Sequence, residues 1–298
     1  MRVSYSPAYY APLPDDHIFP IKKFEGLYRY LIEHDIIRES DVMPPDPVSM
    51  DDLLLVHTPR YAHGFMDGSL EYKEIRKLGL PWSKSLAHRS RLAVKGTINA
   101  ALAALQDGIA GNIAGGTHHA RSDNGEGFCV FNDVAVAINV LMQSMWVKKV
   151  LVIDCDVHQG NGTAEIFKDH NRVYTFSIHG AKNYPFRKPP STLDIGMPDG
   201  TGDAAYLQVL GDAIDRIFNE FDPDLVFYLG GIDPLEHDHF GRLSLSMKGL
   251  KDREHLVIES VVNRNKPLVL LMSGGYAPTL QETVTAHAQM YKIASNVG

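Results

Sequence analysis

The stretch VLVIDCDVHQGNG, residues 150–162, is where the reading of this chain begins. A run of β-branched and aliphatic residues drives into Asp154, Asp156 and His158, then breaks at Gly160, Asn161 and Gly162. The run is too continuously apolar for a strand with one wet face and suits a strand covered on both sides. Buried carboxylates are costly unless they are paired, hydrogen-bonded or bound to a metal. The stretch therefore reads as a buried strand whose end asks for a ligand. If the extended conformation persists through the motif, alternation sets Asp154, Asp156 and His158 on one side. Two carboxylates and an imidazole suit a divalent cation, with Asp233 from another strand end as a further oxygen and one position open for water. The competing reading is a polar network tying strand ends to a helix N-terminus, and D-x-D-x-H alone does not separate the two.

Working outward, similar runs recur as RVSYS near the start, DLLLVH at 52–57, RVYTFSI at 172–178, DLVFYLG at 224–230 and PLVLLM at 267–272. Helical stripes lie between them. Phe24, Leu27, Tyr28, Leu31 and Ile32 form one; Val134, Ile138, Leu141, Met142 and Met145 form another, entered through Asn132 as a cap. Tyr206, Val209, Leu210, Ala213, Ile214, Ile217 and Phe218 repeat the spacing, as do Leu250, Val257, Ile258 and Val261. Helix alternating with strand predicts an α/β fold: an open, mostly parallel sheet with helices on both faces. Residues 182–203 read as a long irregular excursion of the functional kind. With no repeat or linker, the chain is expected to be a single domain over 1–298.

Composition excludes several classes. The chain has 298 residues, 44% hydrophobic and 22% charged, which is ordinary globular usage. A formal net charge of −7 argues against a nucleic-acid partner, which needs a dense basic surface. No apolar run is long enough to span a bilayer, and MRVSYSPAYY lacks the apolar core of a signal peptide, so a soluble, cytoplasmic protein without a membrane partner is expected. Cys129 and Cys155 sit inside motifs rather than in a spaced framework and read as buried thiols.

The ionisable clusters follow the predicted strand ends. NIAGGTHHA carries His118 and His119, TFSIHG carries Ser177 and His179, FYLGGID carries Asp233 and LLMSGGY carries Tyr276. In open parallel sheets, ligands bind beyond the carboxyl ends of the strands, so these segments point their chemistry at one rim. Tandem histidines suit acid and base work near neutral pH, and a phenol past a strand end can hydrogen-bond a developing oxyanion. Taken singly, an HH pair is more often structural, and SGGY is as readily a turn with a packing tyrosine.

Taken in order, GGTHHA, GFCVFND, DCDVHQGNG, GGIDPLEHDHFGRLSLS and SGGY resemble the histone deacetylase superfamily across nearly the whole chain. The compressed IDPLEHDHFGRLSLS stretch and the short SGGY are most similar to the class IV branch and its bacterial relatives. The resemblance implies an arginase/deacetylase-like domain with a central eight-stranded sheet, acting as a zinc-dependent hydrolase of N-acyl amides on lysine. It makes Asp156, His158 and Asp233 the metal ligands, His118 and His119 the catalytic histidines, and Tyr276 the residue that polarises the carbonyl. Asp154 would orient His118, and Asn161 would orient His119. Gly127, Phe128 and Gly275 would line the channel for the acyl-lysine stem. Asp154, Asp156, His158 and Ser177 would hold an interior K+ or Na+. Zinc is the expected ion, with Fe2+ or Co2+ compatible with the same donors.

Two departures from the family pattern stand out. Asn161 occupies a position where many members have aspartate; a neutral amide orients the ring without raising its pKa as an anion would, which makes His119 the neutral base and His118 the protonated partner. Between Asp67 and Asp107 there is no aspartate to serve as the rim residue that grips a substrate backbone in class I enzymes. Three alternatives remain open at this point: an acetylpolyamine or other small-molecule amidohydrolase, a catalytically silent acyl-lysine-binding scaffold, and an arginase-type ureohydrolase. The last needs a further carboxylate after the ligand histidine, where this chain has Gln159 and Gly160.

Overall fold

In the computed structural model, which describes residues 1–297, the opening stretch begins with a strand, Val150–Asp154, inside an eight-stranded sheet. In chain order the strands are β1 (Arg2–Ser4), β2 (Val42–Met43), β3 (Ile109–Asn112), β4 (Val150–Asp154), β5 (Val173–Gly180), β6 (Leu193–Met197), β7 (Leu225–Leu229) and β8 (Leu268–Leu271). They lie in the order β2-β1-β3-β8-β7-β4-β5-β6, and every neighbouring pair is parallel.

The apolar runs are explained by cover on both faces. Leu151 and Ile153 of β4 enter the core shared with helices Lys23–Glu33, Asp203–Glu220, Met247–Val262 and Leu280–Val297. Val150 and Val152 enter the core under Lys84–Asp107 and Asp133–Gln143. The same alternation splits Val226 and Tyr228 from Leu225, Phe227 and Leu229 in β7. All four expected helical stripes are helices, and Asn132 caps Asp133–Gln143 by accepting from the Ala135 N–H at 2.9 Å. That helix stops before Met145, which lies past the end at positive φ and is solvent-exposed.

Four expectations are corrected. DLLLVH is not a strand: Ser49 accepts from the Asp52 N–H and starts helix Met50–Leu54, whose buried face is Leu53. The excursion at 182–203 contains β6, an edge strand with alternating burial paired to β5. The short β2 and β3 have too few apolar residues to announce themselves. Finally, β4 ends at Asp154; the Asp156 N–H turns back onto Asp154 Oδ1 at 3.1 Å and the His158 N–H onto Asp156 Oδ1 at 3.0 Å. Asp154, Asp156 and His158 are thus not on one strand face. Both cysteines are buried and free, and among the described residues no helix is long and apolar enough to cross a membrane.

Candidate active site

The strands whose carboxyl ends carry ionisable clusters are β3, β8, β7, β4 and β5, which are consecutive in the sheet. Parallel pairing puts all their following loops on one edge, and there a cavity of about 550 Å³ opens. Its lining includes His118, His119, Asp156, His158, Asp233, Phe128 and Tyr276. At its floor Asp156, His158 and Asp233 each offer a ligand atom, all within 4.8 Å of one another. Asp156 Oδ2 accepts from Ser273 Oγ at 2.8 Å and the Gly274 N–H at 2.7 Å, while Asp233 Oδ1 accepts from the Val157 N–H at 2.8 Å. Asp233 Oδ2 is buried, makes no hydrogen bond among the described residues and lies 3.3 Å from His158 Nδ1. Burial and the charge of Asp156 push Asp233 up to about 7, and burial opposes a charge on His158 while the two carboxylates carry it up to about 10. Two carboxylates this close at depth are costly without a cation between them, and the proton that they draw onto His158 marks the place a metal ion would take. The residues fit a divalent ion.

The adjacent histidines differ in what stands behind them. His118 Nδ1 lies 2.7 Å from Asp154 Oδ2; burial alone would lower its pKa, but the carboxylate outweighs burial and carries it up to about 9. His119 Nδ1 lies 2.6 Å from Asn161 Oδ1. Burial, then the charges of His118 and His158, hold His119 well below the ordinary imidazole value. Neutral His119 and protonated His118 therefore share one wall, with ring centroids 4.1 Å apart. Tyr276 lines the same cavity, with its backbone N–H on Asp238 Oδ2 at 2.6 Å and Phe240 edge-on at 4.8 Å. Burial, then the charge of Asp233, keeps its phenol protonated and able to donate.

A family model described as a histone deacetylase domain matches residues 17–291. The chain belongs to the histone deacetylase family. It is 40% identical over 295 residues to an uncharacterised protein of Picosynechococcus, covering 99% of this chain and 98% of that one. It is 31% identical to histone deacetylase 2 of Arabidopsis thaliana, over 87% of this chain and 70% of that one. Among solved structures it is similar to an HDAC homolog complexed with SAHA, with TM-score 0.85 and 25% identity over 99% of this chain and 84% of that one. An HDAC homolog from Aquifex aeolicus shares the fold at TM-score 0.85 and 24% identity, over 99% of this chain and 83% of that one. Membership makes the chain an enzyme, an amide hydrolase of the deacetylase type, in a family that is generally metal-dependent.

In this deacetylase-family fold the cavity wall is built by strained backbone. Gly127 has φ 56°, and a Cβ there would meet His119 Cδ2 at 2.5 Å, so only glycine lets the loop pass the ring. Phe128 follows at φ 64°, which turns its ring toward Phe19 at 5.4 Å and Tyr276 at 6.0 Å. Gly275 is a correction: the wall there is Gly274 and Tyr276, whereas a Cβ on Gly275 would point into Ile232. Ser177 is also away from the cavity; it lies in register with Asp154 across β4 and β5, its hydroxyl 2.9 Å from His179 Nδ1.

Several residues that build this cavity carry no signature in sequence. Arg253 is fully buried and donates to the carbonyls of Cys155 at 3.2 Å and Gly231 at 2.7 Å, tying together the two segments that bear Asp156 and Asp233. Glu254 balances its charge at 2.5 Å and accepts from Tyr228 Oη at 2.6 Å. Tyr184, from the excursion, meets His119 edge-on at 5.1 Å and lines the cavity. Lys23 is buried on the far wall, with Nζ donating to the Ser273 carbonyl at 3.1 Å. Only Tyr184 could have been sought, as an aromatic in a loop already marked as functional.

Proposed function

We propose that this chain hydrolyses N-acyl amides of lysine side chains, using a divalent ion, zinc before Fe2+, held by Asp156, His158 and Asp233. The observation that carries the reading is the convergence of Asp156, His158 and Asp233 within 4.8 Å in the cavity whose lining also holds His118, His119 and Tyr276. Such an ion supplies Lewis acidity toward a carbonyl and toward water. His119 takes a proton from the attacking water at Nε2 and later delivers it to the leaving amine. His118 keeps its proton and acts through charge. Tyr276 donates to the developing oxyanion, a contribution typically worth about 10²–10³ in rate. Gly127 and Phe128 flank the aliphatic stem of the substrate. An interior K+ or Na+ held by Asp154, Asp156, His158 and Ser177 belongs to the same proposal, supported by the register of β4 and β5.

The lining favours acyl-lysine over an acylated polyamine. Among the described residues the carboxylates of the lining are Asp156 and Asp233, both assigned to the ion, which leaves no acidic group to receive the further positive charge of a polyamine. Asn161 and the short SGGY segment support a place near the class IV branch. The test is a panel of acetyl- to myristoyl-lysine peptides beside acetylated polyamines, with metal content measured on the same sample. Bound divalent ion and hydrolysis of a lysine substrate are expected, with SAHA, found in complex with one structural neighbour, as an inhibitor. Asp233→Ala should lose both ion and activity; full retention of both would overturn the proposal.

A further inference from the structure

Glu126 is 3% exposed, in the loop just before the Gly127–Phe128 turn. Its Oε1 accepts from Asn161 Nδ2, and the other end of that amide, Oδ1, is the group facing His119 Nδ1 at 2.6 Å. Lys77 Nζ reaches Glu126 Oε2 at 2.5 Å, and Arg121 Nε lies 3.4 Å from Oε1. Burial acts to raise the Glu126 pKa, but the bonds from Lys77 and Asn161 hold it below the ordinary carboxylate value. The carboxylate is therefore ionised at depth.

An amide lodged between two partners can face either way, offering its oxygen or its NH2 to the imidazole. An ionised carboxylate only accepts, so Glu126 selects the NH2 end and turns Oδ1 toward His119. Oδ1 in turn only accepts, so the proton of the neutral ring must sit on Nδ1. The lone pair is then left on Nε2, the nitrogen a base needs. We propose that Glu126 is a positioning residue that fixes the tautomer of His119 through the Asn161 amide. The charge is kept one group away, so it orients the ring without a carboxylate bonded to it. The proposal rests on His119 being the base of the reaction proposed above.

The test combines spectroscopy with a double-mutant cycle. In the full chain, ¹⁵N NMR of labelled histidines should show wild-type His119 protonated on Nδ1; protonation on Nε2 would overturn the proposal with no variant needed. Glu126→Gln frees both amides to flip, so the ring should become a tautomer mixture. Its kcat should fall about 10–100-fold, the usual range for a residue orienting a site group, with KM within about twofold. Asn161→Asp places two carboxylates against each other and should be impaired, and adding Glu126→Gln should restore at least about tenfold of that loss. A merely structural Glu126 would make the two changes add. Wild-type kcat and tautomer in Glu126→Gln, or no recovery in the double variant, would overturn the proposal. If the wild-type chain hydrolyses no acyl amide, the functional reading fails on its own, and the NMR measurement still decides the role of Glu126.

Discussion

His118 and His119 are neighbours in sequence, both buried and in contact, yet their surroundings hold a proton on the first and keep the second neutral. Behind His118 stands a carboxylate at the end of β4; behind His119 stands an amide at the start of helix Asn161–Phe167. An anion bonded directly to an imidazole stabilises its proton, whereas burial with only a neutral partner expels it. His57 repeats the second case further out: its Nδ1 donates to the Arg121 carbonyl, its Nε2 accepts from the Asn132 N–H, and burial lowers its pKa to about 4. The difference teaches that the protonation pattern of this enzyme is set by the group bonded to each ring, more than by depth.

The contrast can be broken at its most reactive point first. On the proposed mechanism His119→Ala removes the base and should lower kcat by about 10²–10⁴, measured on the best acyl-lysine peptide under saturating metal; a loss no greater than that of His118→Ala would end the distinction between the rings. Asp154→Asn should cost about 10–100-fold. Because His118 then loses its proton near neutral pH, His119 escapes a positive neighbour and the acidic limb of the pH–rate profile should move upward; an unmoved limb would count against the assignment.

The smallest effect concerns stability. His57 has a folded pKa near 4 against 6.5 when unfolded, so the unfolded chain binds the extra proton between those values. The neutral ring contributes stability that is full above pH 6.5 and lost as pH falls toward 4. Replacing it by Gln should cost about 1–3 kcal/mol at pH 7. It should also flatten the fall below pH 6.5 by up to about 1.4 kcal/mol per pH unit, read from denaturant midpoints across pH. An unchanged slope would show that His57 is charged in the fold.

How much of this was legible depends on whether the signal is local. The continuous runs of β4, β5, β7 and β8 and the periodic helices show themselves within a few residues, and so do the ligand motifs, because residue type and position after a strand carry the chemistry. DLLLVH fails because three leucines serve a helix as well as a strand, and Ser49 settles it. β6 hides because its edge position leaves alternate residues exposed. Arg253 and Glu126 could not be read at all: their partners lie 98 and 35 residues away, and only folding brings them together.

The strand order has a kinetic consequence. β8, nearest the C-terminus of the eight, fits between β3 and β7 and brings Ser273, Gly274 and Tyr276 with it. Pairing across such separations closes large loops before any contact rewards them, which slows folding. During synthesis the half-built sheet therefore has a gap at its centre where the reaction chamber will be. Competence should arrive all at once, when that last insertion closes the middle of the molecule.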